Sequence, residues 1–514
     1  MEDKTQGVRV DRVAARVEED AQLEGRIELS SDQSDIARVI GTTAALVPDE
    51  VRVLDDALEF SGKVVFEVMV VTTDAPDDVA VIEAESRFRH TMAAPGAHPG
   101  MTTDFIGRVD SVEEVLEDPR QIALTADVHF QVWAIETMTI DPLEGAQNLE
   151  LRTRDVLGVE TIETKTQSVD VSEQVEIPPR ALPVGQVLGN SAFAVVREVT
   201  GTPEGTHVEG DLVVFTSYFS AEGEQAASYQ TTSFLLPISF DIEWDQRGEG
   251  ENARVILVVD EIETSPAADE MGENRLLDVT AHIVANASLW QEKEAVIPED
   301  GYIPGHDSAI ETVNIEFGLA PQTRRSQRML RFGVTLPTGF PPIAQTLCLR
   351  VRPTVRSVAA QQDGALVVGT LECDVIYRAA QEDAPVYGFR ASIPYEERIA
   401  VDCPPQNLMI RAFCEQTSCA MASETEVECR VQLDLEAFCA PSQQIRMLTN
   451  IVDRGADDAK SAIVMTVAGP SDDLWSIAKR FGVAQEEVLA ANVQYRERPP
   501  KTGERVLLYR RAVD

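Results

Sequence analysis

The sequence predicts a mainly β protein: three antiparallel β-sandwich or barrel-like domains followed by a small βααβ unit. Three observations carry this expectation. Apolar residues occupy alternate positions in long runs, the runs recur in one order at two long intervals, and helical spacing replaces alternation only after residue 470.

Leu277, Val279, Ala281, Ile283, Ala285, Ala287 and Leu289 fall on every second position, which places their side chains on one face of a strand. Val64, Phe66, Val68 and Val70 repeat the pattern, as do Leu371, Cys373, Val375 and Tyr377, and Cys429, Val431, Leu433 and Leu435. Runs of this kind, bounded by Gly, Pro and Asp clusters, indicate antiparallel sheets with one buried face.

The runs recur in order. Strands led by Gly62, Gly210 and Gly369 start 148 and 159 residues apart (210 − 62 and 369 − 210). Each precedes an acidic turn (Asp77-Asp78, Glu222-Gly223-Glu224, Glu382-Asp383), a second apolar strand containing Phe88, Phe234 or Phe389, and a long alternating strand over 122–134, 276–290 or 427–438. Three copies of one β-domain explain this pattern, and a period this long calls for a separate core in each copy. The expected organisation is a polar segment at 1–33, β-domains at 34–165, 175–305 and 330–442, a charged linker at 443–462 that tethers flexibly, and a final module at 463–511. Polar, Pro-marked stretches at 177–180 and 298–304 are read as separators.

Charge narrows the partners. With 44 basic and 87 acidic side chains the formal net charge is −43, so nucleic acid phosphates and anionic lipids are poor partners. The excess acid either keeps a strand-rich protein soluble or attracts a basic partner. The N-terminal stretch lacks an apolar core of the secretory type, and no window reaches the ~18 apolar residues of a membrane span, which gives the expectation of a soluble cytoplasmic protein without membrane insertion.

No catalytic constellation is evident, and the expectation is a protein without enzyme activity, cofactor or metal. The six histidines (90, 98, 129, 207, 282 and 306) are dispersed, and no nucleophile elbow, phosphate loop or dinucleotide fingerprint is present. The seven cysteines all lie between 348 and 439. A cytoplasmic address argues against disulfides, so small buried thiols are expected.

The final module changes period. Ile463, Met465 and Val467 alternate, Gly469 to Asp473 form a turn, and Leu474, Ile477, Ala478 and Phe481 follow helical spacing, with Asp472 or Asp473 as N-cap and Gly482 as terminator. A second helix runs through Val488 and Leu489 to Asn492, and a return strand holds Val506, Leu507 and Leu508. Leu474-Trp475-Ser476-Ile477-Ala478-Lys479-Arg480-Phe481-Gly482-Val483, Glu487-Val488-Leu489 with Asn492, and Gly503 before Val506-Leu507-Leu508 resemble the LysM domain. That resemblance implies a groove for N-acetylglucosamine polymers between the first strand–helix loop and the second helix–strand loop. The usual Gly-Asp-Thr of the first loop is here Ser471-Asp472-Asp473. Trp475 is either a core residue or a sugar-stacking platform. Residues 463–514 carry eight basic and seven acidic side chains, a balance of +1 against −44 for the rest; the basic residues either dock on an acidic surface or are solvated. The candidate binding residues, in groove or partner face, are Ser471, Asp472, Asp473, Leu474, Trp475, Asn492, Arg496 and Lys501.

The segment Ser34-Asp35-Ile36-Ala37-Arg38-Val39-Ile40-Gly41, running into Gly62-Lys63-Val64, is similar to the entry of a SPOCS domain. SPOCS-like repeats ahead of a terminal LysM resemble the SipL-type spore coat morphogenetic proteins of clostridia. The resemblance implies a mother-cell protein, peripheral at the forespore surface and spore coat. There the LysM would bind the coat-basement ATPase, stage IV sporulation protein A, and the domains before it would serve coat assembly with other coat proteins. The alternative is a cell-wall protein that binds peptidoglycan or N-acetylglucosamine.

Overall fold

The computed structural model describes residues 8–74, 79–140, 149–220, 229–246, 250–382, 385–456 and 462–510. Asp77-Asp78, Glu222-Gly223-Glu224 and Asp383 of the expected acidic turns lie outside these residues, as do 457–461 of the expected linker. The first repeat consists of β1 (Val8–Glu28), β2 (Ile36–Leu54), β3 (Ala57–Thr72), β4 (Ala80–Ala93), β5 (Thr102–Asp118) and β6 (Gln121–Ile140). The second consists of β7 (Glu150–Glu176), β8 (Val184–Gly201), β9 (Thr206–Ser220), β10 (Tyr229–Ile242), β11 (Glu251–Ala267) and β12 (Leu276–Tyr302). After β13 (His306–Gly318), the third consists of β14 (Gln322–Thr335), β15 (Ile343–Gln361), β16 (Gly364–Ala379), β17 (Val386–Ile399), β18 (Leu408–Ser423) and β19 (Glu426–Cys439).

All three share one topology. The second, third and fourth strands form a meander sheet, and the sixth is flanked by the fifth and by the first. Every pairing is antiparallel. The alternating apolar positions of the two central strands face each other across the repeat, as in a sandwich. In the first repeat Leu124, Val128 and Phe130 of β6 share a buried core with Phe60, Val64 and Phe66 of β3. The second and third repeats have equivalent cores of their own.

The glycines that lead the repeated motif have one physical cause. A Cβ at Gly62, Gly210 or Gly369 would collide with the backbone carbonyl of Val47, Val195 or Thr354 on the neighbouring strand. That strand bulges at the same place each time, between Pro48 and Glu50, Val196 and Glu198, and Val355 and Ser357. The bulge presses backbone against backbone, and only glycine leaves room.

The expected borders shift because each repeat begins one strand earlier. Residues 8–28, expected within a polar N-terminal segment, form β1 and pair with β6 along its length. Likewise β7 and β14 complete the second and third repeats from before their expected starts at 175 and 330. The expected linker also changes character. Most of its first part forms β20 (Ser442–Ala456), which pairs with β13 and buries Ile445 and Leu448. β13 in turn touches β1, so the sheet order is β20-β13-β1-β6-β5. The stretch 298–304, expected as a separator, largely continues β12 as far as Tyr302, with a bulge between Pro298 and Asp300.

The repeats close on one another in a cycle. Arg108 of the first donates to the Val355 carbonyl of the third (3.1 Å), and Arg411 of the third donates to the Leu257 carbonyl of the second (3.1 Å). Arg254 of the second returns to Asp104 of the first. Ile40, Met69, Phe219, Cys348 and Ile376 form an apolar junction of all three repeats, and Ile106, Trp133, Ile256, Met409 and Phe438 form another.

Candidate functional site

The C-terminal module consists of β21 (Ala462–Val467), α1 (Leu474–Phe481), α2 (Gln485–Ala491) and β22 (Arg505–Arg510), with the two strands paired antiparallel. Asp473 is the N-cap of α1. Its carboxylate accepts from Ser476 N (2.7 Å) and the Ser476 hydroxyl accepts from Asp473 N (3.0 Å), a reciprocal capping box. Gly482 ends the helix at φ 61°, the left-handed conformation that glycine adopts without strain. Ile477, Ala478, Val488, Val506 and Leu508 are fully buried, and the module's core also contains Tyr302 of β12.

That tyrosine overturns the expectation of a freely tethered module. The ends of β7 and β12 extend beyond β11 as a two-stranded ribbon, and the module sits on its tip. Tyr302 donates its hydroxyl to the Val483 carbonyl (2.8 Å) and meets the Trp475 ring edge-on at 5.1 Å between centroids. Trp475 Nε1 donates to Asp300 Oδ2 (3.0 Å), and Lys479 Nζ donates to the other oxygen of the same carboxylate. Gly305 N donates to the Gly482 carbonyl (2.9 Å), and Arg152 pairs with Asp473 (3.1 Å). Partial burial pushes the Asp300 carboxyl upward, but the hydrogen bonds from Lys479 and Trp475 outweigh it and hold the group below its usual range.

The sequence-derived site residues divide into three kinds. Asp473, Leu474, Trp475 and Arg496 line a groove of about 440 Å³, whose opposite wall is Leu151 and Arg152 of the body. Trp475 is only 7 % exposed, and the contacts of its ring and Nε1 place it in the module's core and docking interface. Asn492 is 2 % exposed and structural: it donates to the Val488 and Leu507 carbonyls and accepts from Leu507 N. Ser471 and Lys501 are exposed and away from the groove wall, while Asp472 is held by Gly469 N and Arg480. The Arg480 hydrogen bond keeps Asp472 below the usual carboxylate range. Asp300, Tyr302 and Arg152 were invisible as site residues because they lie far upstream in a region that reads as strand and separator.

A second cavity, of about 520 Å³, lies where β2 and β5, β8 and β11, and β15 and β18 converge. Arg108, Arg254 and Arg411 line it, beside the stacked Phe193 and Phe413 rings. The Arg108 and Arg411 guanidiniums are already engaged with Asp110 and Glu436, besides their contacts between repeats, and that of Arg254 is taken by Asp104 across the junction. They hold the repeats together and leave little uncompensated charge for an anionic ligand.

Each histidine pairs with a carboxylate: His90 with Glu19, His98 with Glu136, His129 with Asp20, His207 with Asp241, His282 with Asp170 and His306 with Asp453. Asp20, Asp110 and His129 form a grouping of metal-ligand type among the described residues, but Arg108 is bound to Asp110 at 2.9 Å and supplies the opposing charge itself. The cysteines require one correction. Cys403 and Cys439 form a disulfide, because the loop after β17 crosses the end of β19 and brings their Cα atoms to 6.2 Å. The other five remain thiols. Burial pushes Cys419 up to about 12 and Cys429 up to about 11, which suppresses the reactive thiolate.

No helix among the described residues is long and apolar enough to cross a membrane. Residues 35–115 match the family described as SipL, SPOCS domain. The match runs from the entry of β2 into β5 and so covers most of the first repeat. No curated protein and no solved structure matches the chain.

Proposed function

We propose, for a chain that carries a SipL-type SPOCS domain, a non-enzymatic role as an assembly scaffold of the spore coat and envelope. The SPOCS match itself points to a sporulation-related coat protein, and the SPOCS family is not an enzyme family. That match in the first of three alike repeats is the observation that carries the reading. Three repeats closed into a cycle present outer faces to coat proteins, and the LysM-like module locates the molecule at the forespore surface from the mother-cell cytoplasm. Its partner there is the coat-basement ATPase, stage IV sporulation protein A. The module's near-neutral charge beside a strongly acidic body favours a contact of its own with protein.

The glycan-binding alternative rests on the 440 Å³ groove. Against it, the Trp475 indole is sequestered by Tyr302 and Asp300 rather than presented as a stacking platform, which supports a protein target over a sugar. A fluorescently tagged chain lacking 463–514, expressed in sporulating cells, tests the reading. Loss of the forespore-surface signal with the truncated chain still folded is the expected result. Undiminished localisation would refute it, and sugar-competed retention on insoluble peptidoglycan would favour the alternative.

A further inference from the structure

The contact between the body and the C-terminal module has the form of peptide recognition. Asp300 and Tyr302 lie two residues apart on an extended strand, so their side chains leave on the same side. The carboxylate takes the Trp475 indole N–H and the Lys479 ammonium, and the phenol fills a place in the module's apolar core while donating to the Val483 carbonyl. Three residues later Gly305 adds a main-chain bond to Gly482. Charge and ring are read along the extended end of β12, and the backbone bond comes from the turn that follows it, where Gly305 has φ 78°. The bulge between Pro298 and Asp300 turns this segment toward the module.

The module contributes the complementary half from one continuous stretch. Trp475 and Lys479 are four apart on α1 and share a face, and Gly482 and Val483 follow at its C-terminal end. Arg152 completes the closure by pairing with Asp473 at the other end of the helix. The Trp475 Nε1, the Lys479 ammonium and the Val483 carbonyl are thus already taken by the chain's own segment.

We infer that this face of the module is a binding site for an extended protein segment bearing a carboxylate two residues before a tyrosine, and that residues 300–302 occupy it as a built-in competitor. A partner protein presenting that pattern engages the module by displacing Asp300 and Tyr302, so docking on the body regulates access. The inference deepens, and rests on, the reading of the module as a protein-binding element.

A labelled peptide of residues 297–305, titrated against the full chain by fluorescence anisotropy, tests it. The chain carrying Asp300→Asn and Tyr302→Phe is expected to bind the peptide at least about tenfold more tightly than the unaltered chain, because weakening the internal competitor raises the fraction of open sites. The same peptide with Asp→Asn and Tyr→Phe is expected to bind neither protein. Equal affinity for both chains, or binding to neither, would overturn the inference. If far-ultraviolet dichroism shows the double variant to have lost the module's helices, Asp300→Asn alone carries the same comparison. Peptide binding without any effect of deleting 463–514 in cells would leave this site standing and refute the localising role. Localisation without peptide binding would do the reverse.

Discussion

Within the second repeat, Leu277, Val279 and Ile283 share a core with Val208, Leu212 and Val214 of the same repeat, and the other two repeats enclose themselves in the same way. The C-terminal module does not. Its two short helices and two-stranded sheet bury a small cluster, and Tyr302 of the body is part of it. About fifty residues expose too much of their surface to be generously stable alone. A repeat of six long strands can be an autonomous unit, whereas a small module gains by borrowing a side chain, and the borrowed side chain then controls where the module sits.

The largest expected effect lies on the autonomous side. Phe130→Ala empties a fully buried position that packs on Phe60 and Phe88, and is expected to cost about 3–5 kcal/mol in thermal or denaturant unfolding. If the first repeat melts ahead of the other two, the cores are independent. A single shifted transition would mean that the arginine contacts between repeats couple all three.

A smaller effect is expected at the bulge. Gly369→Ala drives a methyl into the Thr354 carbonyl and should cost about 1–3 kcal/mol. Gly201→Ala, where nothing lies within 4 Å of the added carbon, serves as the reference and should leave the melting curve nearly unchanged. Equal effects would remove the bulge as the reason for the repeated glycine.

On the borrowed side, Tyr302→Phe deletes one hydrogen bond and keeps the ring. A loss of about 0.5–1.5 kcal/mol is expected, read as faster hydrogen exchange in 474–489 with β6, β19 and the 276–290 part of β12 unaffected. The smallest effect is a dependence on pH. Asp300 is held below its ordinary value of 3.8 by Lys479 and Trp475. Its contribution to docking is therefore complete above that value and is lost as acid protonates the docked carboxylate. The module's protection factors, with the intrinsic pH dependence of exchange divided out, should be flat between roughly pH 5 and 8 and fall only below roughly pH 4. Asp300→Asn should abolish the acid limb.

Much of the body was legible in the sequence because each central strand carries its apolar residues at strict period two, as in Val427, Cys429, Val431, Leu433 and Leu435. The first strand of each repeat was not. In β1 the inward residues Val17, Ala21, Leu23 and Ile27 are interrupted by Glu19, which pairs with His90 instead of facing a core. The arginines that join the repeats are single charges in a chain with many, and only the fold shows that Arg108, Arg254 and Arg411 each reach a neighbour. The ends of the module's first helix followed from Asp473, one of two N-cap candidates, and Gly482, whereas the reciprocal bond from Ser476 appeared only in the fold. Its docking did not, because Pro298 and Pro304 mark Asp300 and Tyr302 as a separator, while a strand end tolerates a proline at a bulge.

Hydrogen–deuterium exchange on the full chain, unaltered and with Asp300→Asn and Tyr302→Phe, measures the docking of the module most directly. Slow exchange at Gly305 and across 474–489 in the unaltered chain, released in the variant while the three repeat cores stay protected, is the expected outcome. Equal exchange in the two proteins would contradict a module held in place by the body.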